Sequence, residues 1–399
     1  MKTKRILFLG GAYAQIPIIL EARRRGWYVI TCDYLPENPG HKYADEYHNV
    51  STTDREKVLE LARDLHLDYV VAYASDPAAP VAAYVSEQLG LPGNSYDSIR
   101  VLSEKDLFRK FLLDNGFNAP KSVSVTANRD PLTLTENLNF PVIVKPTDSS
   151  GSKGVSKVIS ENDLPKAVEY ASLFSRNKRI IIEEFIVGSG KQLHGDGFVF
   201  DGNLVFTYLG DHHYDTKVNP FVPFSTTWPS ERDEKTIQTV EKVVASVVKM
   251  SGFKNGGINI EARIAENGDV YIMEIGPRSG GNFVPQVIRY ATGFDMVSAT
   301  LDALNIKQMP SIEYHNGAAA YYVVHSLKDG VLNHVEINDE VKQYVKEYHQ
   351  YVQPGESVKS FQGANAAIGV ILLAFPSVDI MNDCMAAMDK YVKLIISES

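Results

Sequence analysis

Two acidic residues in neighbouring strand-like segments carry the clearest chemical signal in this sequence. Glu261 ends the run Gly257-Ile-Asn-Ile-Glu261, Glu274 lies in Tyr271-Ile-Met-Glu274, and Asn267-Gly268 separates the two runs. An Asn-Gly pair between such segments predicts a β-hairpin, which would place the two carboxylates side by side. Like charges at that distance repel by several kcal/mol at low dielectric, and a divalent cation such as Mg²⁺ would turn the repulsion into attraction. The alternative is a surface hairpin with two solvated acids.

A lysine at the end of an apolar strand is the second candidate. Pro141-Val-Ile-Val-Lys145 predicts a buried strand, and its terminal ammonium needs an anion because desolvating it unpaired is costly. The Ser/Gly-rich segment 149–155 follows, and its backbone N–H groups and hydroxyls can contact phosphate oxygens. It is not a P-loop, because the G-x-x-x-x-G-K-[ST] order is absent. A flexible hairpin tip is the alternative for the loop alone, and Lys145 favours phosphate binding.

Composition excludes several classes of protein. The chain has 399 residues, 44% hydrophobic and 22% charged, with a formal charge of −9, which argues against nucleic acid as a partner. Two cysteines provide neither a disulfide framework nor a thiolate metal site, so a reducing compartment is expected. The apolar run Ile6–Leu9 is too short for an export signal, and the run 366–375 is about half a membrane span. We therefore expect a cytoplasmic protein with no membrane partner.

The segments that must position these residues begin with an α/β unit. Strand patterns at Arg5–Leu9, Tyr28–Asp33 and Asp68–Tyr73 alternate with helical patterns, which predicts a βαβαβ arrangement. Gly10-Gly11 follows the first strand, but the third glycine of the dinucleotide fingerprint is missing, so we expect no NAD binding. Residues 306–399 are interpreted as a separate β-rich appendix with a closing helix over Val378–Ile396.

In order along the chain, these segments resemble the ATP-grasp superfamily. The resemblance covers residues 100–305 and the α/β unit before them, and several spaced elements in the right order are more specific than any one alone. The matching elements are Lys105 in Glu-Lys-Asp-Leu-Phe-Arg, Lys145 in Val-Lys-Pro, the loop 149–155, the hinge 183–186, Glu261, Glu274 and Arg278. It implies a multidomain α/β and α+β fold: a parallel-sheet pre-ATP-grasp domain (1–102), a two-part ATP-grasp domain (103–305) with a small lid module at about 118–184, and a C-terminal α+β appendix (306–399).

The resemblance also implies roles for individual residues. Glu261 and Glu274 would bind Mg²⁺ or Mn²⁺, and Arg278 and Lys145 would be catalytic. The ATP-binding set would be Lys105, Lys145, Ser149, Ser150, Gly151, Ser152, Lys153, Gly154, Val155, Glu183, Glu184, Phe185, Ile186 and Gln192. In this set the two lysines hold the α- and β-phosphates, the loop covers the β- and γ-phosphates, and the Glu184 carbonyl and Ile186 N–H contact adenine. The expected substrate contacts are His212, Trp228, Arg278, Gly280, Gly281 and Asn282.

The implied activity is that of an ADP-forming carbon–nitrogen ligase. A substrate carboxylate would attack the γ-phosphate of ATP, and an amine would displace phosphate from the acyl phosphate, so both substrates are small molecules. A homodimer is possible. Two positions depart from the family. It usually has Asn where this chain has Gly276, so an expected metal ligand is absent, and Lys191-Gln192 stands where an acid often binds the ribose. Two alternatives stay open: an ATP-dependent carboxylase or carbamoyl-phosphate-type enzyme that uses bicarbonate, and an inactive nucleotide-binding regulator.

Overall fold

The N-terminal unit is a parallel sheet covered by helices on both faces. The structure is a computed structural model that describes residues 3–126, 131–215, 217, 219–305 and 313–398, without the side chains of 133 and 134. The strands of this unit are β1 (Arg5–Leu9), β2 (Tyr28–Cys32), β3 (Glu46–His48) and β4 (Tyr69–Val71). Its helices are α1 (Ile16–Arg24), α2 (Arg55–Leu65), α3 (Ala79–Leu89), α4 (Tyr96–Ser103) and α5 (Lys105–Asp114). The sheet order is β3-β2-β1-β4 with every pair parallel, so the predicted βαβαβ arrangement is confirmed.

The glycine pair after β1 lies in a crowded turn. The Gln15 side chain accepts a hydrogen bond from the Ala12 N–H at 2.7 Å. A Cβ on Gly11 would stand 2.3 Å from the His41 ring. Both glycines are therefore required by close packing within this unit, and the expectation of no NAD binding stays a prediction.

A small antiparallel unit follows. Its strands are β5 (Ser122–Thr126), β6 (Val142–Pro146), β7 (Ser156–Val158) and β8 (Arg179–Glu184), in the sheet order β5-β8-β6-β7. Its helices are α6 (Pro131–Thr135) and α7 (Leu164–Ser172). The Ser/Gly-rich segment connects β6 to β7 at the edge of this sheet, so its backbone can face a ligand.

The central sheet carries the predicted carboxylate hairpin. Its first strands are β9 (Leu193–Phe200), β10 (Asn203–Tyr214), β11 (Pro223–Trp228), β12 (Gly256–Ile264) and β13 (Val270–Gly276), with α8 (Glu234–Ser251), α9 (Val284–Thr292) and α10 (Met296–Ala303). Alternate residues of β12, from Ile258 to Ile264, are buried against Val240, Val244 and Val247 of α8. The two-residue repeat of a strand turns the others, including Glu261, to the opposite face. Glu261 and Glu274 are direct cross-strand neighbours, which confirms the hairpin.

The C-terminal segment is β-rich, as predicted, but it is not separate, because three of its six described strands extend the central sheet. Its strands are β14 (Ala318–Val324), β15 (Gly330–Ile337), β16 (Val345–Gln350), β17 (Ser357–Val358), β18 (Gly369–Phe375) and β19 (Val392–Ser397). Its helices are α11 (Asp339–Lys342), α12 (Val378–Ala386) and α13 (Met388–Tyr391). The sheet order β13-β12-β9-β10-β11-β14-β18-β16 joins the two parts of the chain. The predicted boundary at 305 and 306 stays a prediction, and residues 306–312 lie outside the described ones.

The predicted closing helix over Val378–Ile396 is wrong at its C-terminal end, because the helices α12 and α13 stop at Tyr391. The helix α12 ends at Ala386, and Val392–Ser397 forms β19, which pairs with β15. The run Val-Lys-Leu-Ile-Ile is rich in β-branched residues, which favours a strand beside an available partner. Within the described ranges, every helix is too short or too polar to cross a lipid bilayer.

Candidate active site

A cleft of about 440 Å³ lies between the small antiparallel unit and the central sheet. One wall comes from β6, β8 and the 149–155 loop, and the other from β10, β12, β13 and the segment after β13. The predicted site residues that line it are Lys105, Lys145, Ser149, Ser150, Gly151, Ser152, Lys153, Val155, Glu183, Glu184, Phe185, Ile186, Gln192, His212, Glu261, Glu274, Arg278, Gly281 and Asn282. Gly154, Gly280 and Trp228 do not line it. Trp228 is fully buried in the core, and its indole N–H donates to the Tyr208 carbonyl at 3.2 Å, so the structure does not place it at the substrate.

The two hairpin carboxylates have unequal charge states. Burial raises the pKa of Glu261 to about 7, and the neighbouring Glu274 carboxylate adds to the shift. Burial alone would also raise the pKa of Glu274, but Lys105, Arg278 and Lys145 together lower it. The Lys105 ammonium lies 3.2 Å from a Glu274 oxygen. At neutral pH, Glu261 is therefore only partly ionised, and Glu274 holds the negative charge.

Glu261 and Glu274 fit a magnesium site that is completed by other oxygens. In the part of the chain that the structure describes, no cluster of three or more His, Cys, Asp or Glu side chains is arranged to hold a metal. Mg²⁺ commonly takes one or two carboxylates from the protein and fills its octahedron with phosphate oxygens and water. Two acids facing a cleft of about 440 Å³ therefore suit a metal–nucleotide complex better than a free-standing ion.

Lys145 is held by a buried network of charges. Its ammonium lies 2.5 Å from one oxygen of Glu183, and Arg109 Nε donates to the other oxygen at 2.9 Å. Glu183 and Arg109 are each 1% exposed. Burial alone would raise the pKa of Glu183, but the Arg109 guanidinium and the Lys145 ammonium lower it to about 2. The Glu183 side chain therefore orients Lys145, a role that the sequence did not indicate.

The Ser/Gly loop closes over one end of the cleft. Gly151 and Gly154 have φ angles of +65° and +74°, which side chains disfavour, and a Cβ on Gly154 would meet Phe174 and Pro146 at 3.0 Å. Ser152 Oγ donates to the Phe221 carbonyl at 2.6 Å, so the tip of the loop contacts the segment before β11. Lys105 Nζ donates to the Ser149 carbonyl at 2.9 Å at the base of the loop. The loop thus has a folded shape that suits a covering role.

The opposite end of the cleft has an aromatic side chain between two cations. The Lys157 ammonium lies 3.8 Å from the centre of the Phe185 ring, and the Arg263 guanidinium lies 5.3 Å from it. Arg263 also donates to the Ile186 carbonyl at 3.0 Å and to Gln192 Oε1 at 2.9 Å. Gln192 in turn donates to Glu261 at 2.8 Å. Arg263 was not predicted, and through Gln192 it links Ile186 to Glu261.

Two stacked histidines form the wall near the expected acceptor. The rings of His194 and His212 lie 4.0 Å apart at 14° to each other. Burial lowers the pKa of His194 to about 3, with a further contribution from Arg278, and burial holds the pKa of His212 well below its usual value. Both rings are therefore neutral at pH 7, and only His212 was predicted as a site residue. The Gly280 N–H donates to the buried Asp196 at 2.7 Å, which turns Gly280 away from the cleft.

Comparison with known proteins agrees with this geometry. A protein-family model described as an ATP-grasp domain matches residues 138–286. This range includes the 149–155 loop, Lys145, Glu261 and Glu274 but not Lys105. The chain contains an ATP-grasp domain. The resemblance inferred from the sequence is thereby confirmed.

Proteins similar to this chain include enzymes of several kinds. It is 28% identical over 226 residues to the carbamoyl phosphate synthase large chain of Thermoanaerobacter sp. (strain X514), which covers 56% of this chain and 20% of that protein. The chain thus spans about a fifth of that relative's length. An L-amino acid ligase from Bacillus licheniformis has the same fold, with a TM-score of 0.84 and 22% identity over 100% of both chains. The same fold occurs in the biotin carboxylase domain of Hydrogenobacter thermophilus 2-oxoglutarate carboxylase, which was solved with MgADP and bicarbonate. The TM-score is 0.77 and the identity 14%, over 99% of this chain and 91% of that one.

The ATP-grasp cleft also contains a residue from the N-terminal unit. Asp76 Oδ2 lies 2.6 Å from Arg278 Nη2, and Arg278 Nη1 donates to the Ser279 carbonyl at 3.1 Å. Burial alone would lower the pKa of Arg278, but Asp76, with smaller contributions from Glu274 and Asp196, raises it. Sequence reasoning missed Asp76, although its place just after β4 was a usable signal. In open α/β sheets, ligands bind beyond the carboxyl ends of the parallel strands.

Proposed function

We propose that this protein is an ADP-forming ligase that activates a small carboxylate with ATP and joins it to an amine. The observation that carries this proposal is the convergence of Lys105, Lys145 and Arg278 with Glu261 and Glu274 on one cleft. Phosphoryl transfer depends on positioning and on charge neutralisation rather than on a covalent protein group. Three cations and a pair of carboxylates suited to a metal supply both.

In the first step, a carboxylate oxygen of the substrate attacks the γ-phosphorus of ATP. The bond from that phosphorus to the bridging oxygen breaks, ADP leaves, and an acyl phosphate forms. When bound by Glu261 and Glu274, Mg²⁺ would supply neutralisation of phosphate charge. Lys145 and Lys105 would bind the α- and β-phosphates, and Arg278 would hold the γ-phosphate with the N–H groups that Asp76 and Ser279 do not use.

In the second step, the amine nitrogen attacks the acyl carbon and inorganic phosphate leaves. The amine loses a proton as the amide forms. An acyl phosphate reacts readily with water, so the site must exclude it, and the folded loop that contains Ser152 is suited to that task. Gly281 and Asn282 line the cleft together with Arg278, and their N–H groups would bind a substrate carboxylate there.

The experiment follows one oxygen atom. ADP release is first screened with Mg-ATP against pooled amino acids, sugar acids and bicarbonate, and the product mass is measured. The active carboxylate is then labelled with ¹⁸O, and we expect one label in the released phosphate. Arg278→Lys should slow this transfer strongly, because lysine lacks the bidentate fork of arginine. Unlabelled phosphate together with normal amide product would contradict the mechanism.

A bicarbonate-using enzyme is the second candidate. It is favoured by the identity to a carbamoyl phosphate synthase and by the shared fold of a carboxylase domain solved with MgADP and bicarbonate. Both candidates use the same ATP site, so the acceptor alone distinguishes them. ADP release that depends on bicarbonate and on no other carboxylate would select this second function.

A further inference from the structure

The loop after β4 delivers an acid from the N-terminal unit to the ATP-grasp cleft. Ala74 in this loop has a φ of 52°, a left-handed conformation that is uncommon for a residue with a side chain and often occurs at functional sites. The Tyr73 carbonyl accepts a hydrogen bond from Gln15 Nε2 at 3.0 Å, which fixes the start of the loop. Asp76 follows directly and lines the cleft.

The contact between Asp76 and Arg278 fixes the arginine without using all its donors. Asp76 takes one N–H of Nη2 at 2.6 Å, and the Ser279 carbonyl takes one N–H of Nη1 at 3.1 Å. The buried Nε of Arg278 has no hydrogen-bond partner among the described residues. Two anchors set the plane of the guanidinium, so the remaining N–H groups keep a fixed direction.

Gly276 lies in close contact with Asp76 and Arg278. A Cβ built on Gly276 would stand 3.0 Å from Asp76 Oδ1 and 3.2 Å from Arg278 Cζ. The φ of Gly276 is not in the left-handed range, so its backbone conformation does not require glycine. A side chain at 276, such as the Asn that the family usually has there, would press on the Asp76 carboxylate and displace it by a few tenths of an ångström.

We propose that Asp76 is a positioning residue that holds Arg278 for the γ-phosphate, and that the lack of a side chain at Gly276 lets Asp76 approach Arg278 without displacement. This inference rests on the proposed function, because it assumes that Arg278 binds the γ-phosphate. It means that the site is incomplete without the N-terminal unit. On this view, the Asn that the family usually has at position 276 is replaced in this chain by Asp76, a polar side chain from a distant part of the chain.

The test compares the affinities for ATP and ADP, because only ATP carries the γ-phosphate. Calorimetry with Mg²⁺ gives both dissociation constants on the full chain. Asp76→Ala should lower the preference for ATP over ADP by about fivefold, or about 1 kcal/mol, with little change in ADP affinity. Asp76→Asn should retain part of the preference, since its amide oxygen can still accept from Arg278. Asp64→Asn, at an exposed position of the same unit, is the matched control.

A second comparison tests whether a side chain at position 276 conflicts with Asp76. Gly276→Asn alone should reduce the ATP preference and lower the melting temperature. Combined with Asp76→Ala, it should cost less than it does alone, because the Asn then enters vacated volume. Unchanged ADP affinity shows that each variant is folded.

The outcomes distinguish a failure of the proposed function from a failure of the role proposed for Asp76. If wild type binds no ATP, or Arg278→Lys keeps the ATP preference, the proposed function fails and the inference fails with it. If Arg278→Lys loses the preference but both Asp76 variants keep it, only the inference is overturned. Strictly additive effects of Gly276→Asn and Asp76→Ala would also overturn it.

Discussion

Glu183→Gln tests whether the buried network that orients Lys145 also stabilises the fold. The substitution keeps the shape of the side chain and removes its charge. Arg109 and Lys145 would then be two cations with no buried anion between them. Breaking a buried ion pair by removing one partner is strongly destabilising, since the remaining charge stays desolvated.

The size of the effect follows from the pKa of Glu183. The network lowers that pKa from 4.5 to about 2. A fall of about 2.5 in pKa corresponds to about 3 kcal/mol of stability at neutral pH. Because the folded pKa is the lower one, this contribution is complete above about pH 4.5 and is lost as the pH falls toward 2. The difference between wild type and variant should shrink over the same range.

Urea unfolding at pH 7 and pH 3.5, followed by tryptophan fluorescence and circular dichroism, measures this difference. Glu161→Gln changes an exposed glutamate of the same unit and should stay within about 0.5 kcal/mol of wild type. A Glu183→Gln variant equally close to wild type at pH 7 would refute the reasoning. So would a difference that grows on acidification.

Three further predictions concern ligands. Lys145→Met should weaken Mg-ATP binding by roughly 1.5–3 kcal/mol in calorimetry, because a charged contact to phosphate is lost. The variant should retain most of its stability, because Arg109 still pairs with Glu183. Unchanged affinity would show that Lys145 does not bind ATP. Glu274→Gln should reduce ADP release by more than about tenfold without loss of secondary structure, since one acid fewer relieves repulsion. Mg²⁺ affinity should be about tenfold weaker at pH 6 than at pH 8, because Glu261, with a pKa of about 7, must lose its proton to bind the ion. An Mg²⁺ affinity that does not change with pH over this range would contradict the prediction.

The carboxylate hairpin could be predicted because everything that fixes it is local. Asn267-Gly268 specifies the turn, and alternation along β12 and β13 decides which side chains share a face. Glu261 and Glu274 therefore had to meet, and the structure pairs them directly. The order of strands and helices before residue 305 could also be predicted, because it follows from local sequence patterns.

The pairing of the cationic residues with their acidic partners could not be predicted, because the partners come from distant parts of the chain; the position of Asp76 after β4 indicated a ligand site but not its contact with Arg278. Asp76 lies 202 residues from Arg278, and Arg109 lies 74 residues from Glu183. Arg109 has the sequence surroundings of an ordinary surface helix, yet it is 1% exposed. Local patterns contain no information on which helix face will cover a neighbouring sheet. Long-range charge pairs are visible only once the tertiary structure is known.

One error arose where a local pattern had a second physical explanation. Trp228 lies between the hinge and the carboxylate hairpin, where the resemblance places substrate contacts, but its indole fills the core beside Tyr321. The sequence shows that Gly276 lacks the side chain of the usual Asn, and only the structure shows that Asp76 lies next to this position.

The continuity of the central sheet determines where this chain can be divided. The strand β11 pairs with β14 across the predicted boundary, through Thr226 with Tyr321 and Trp228 with Ala319. A fragment that stops at 305 would leave one edge of β11 with unsatisfied N–H and C=O groups, next to a newly exposed apolar surface. Such an edge recruits strands from other molecules. A minimal ATP-binding fragment should therefore aggregate unless β14 and β18 are kept, and a protease cut in the 306–312 segment should leave two pieces that remain associated.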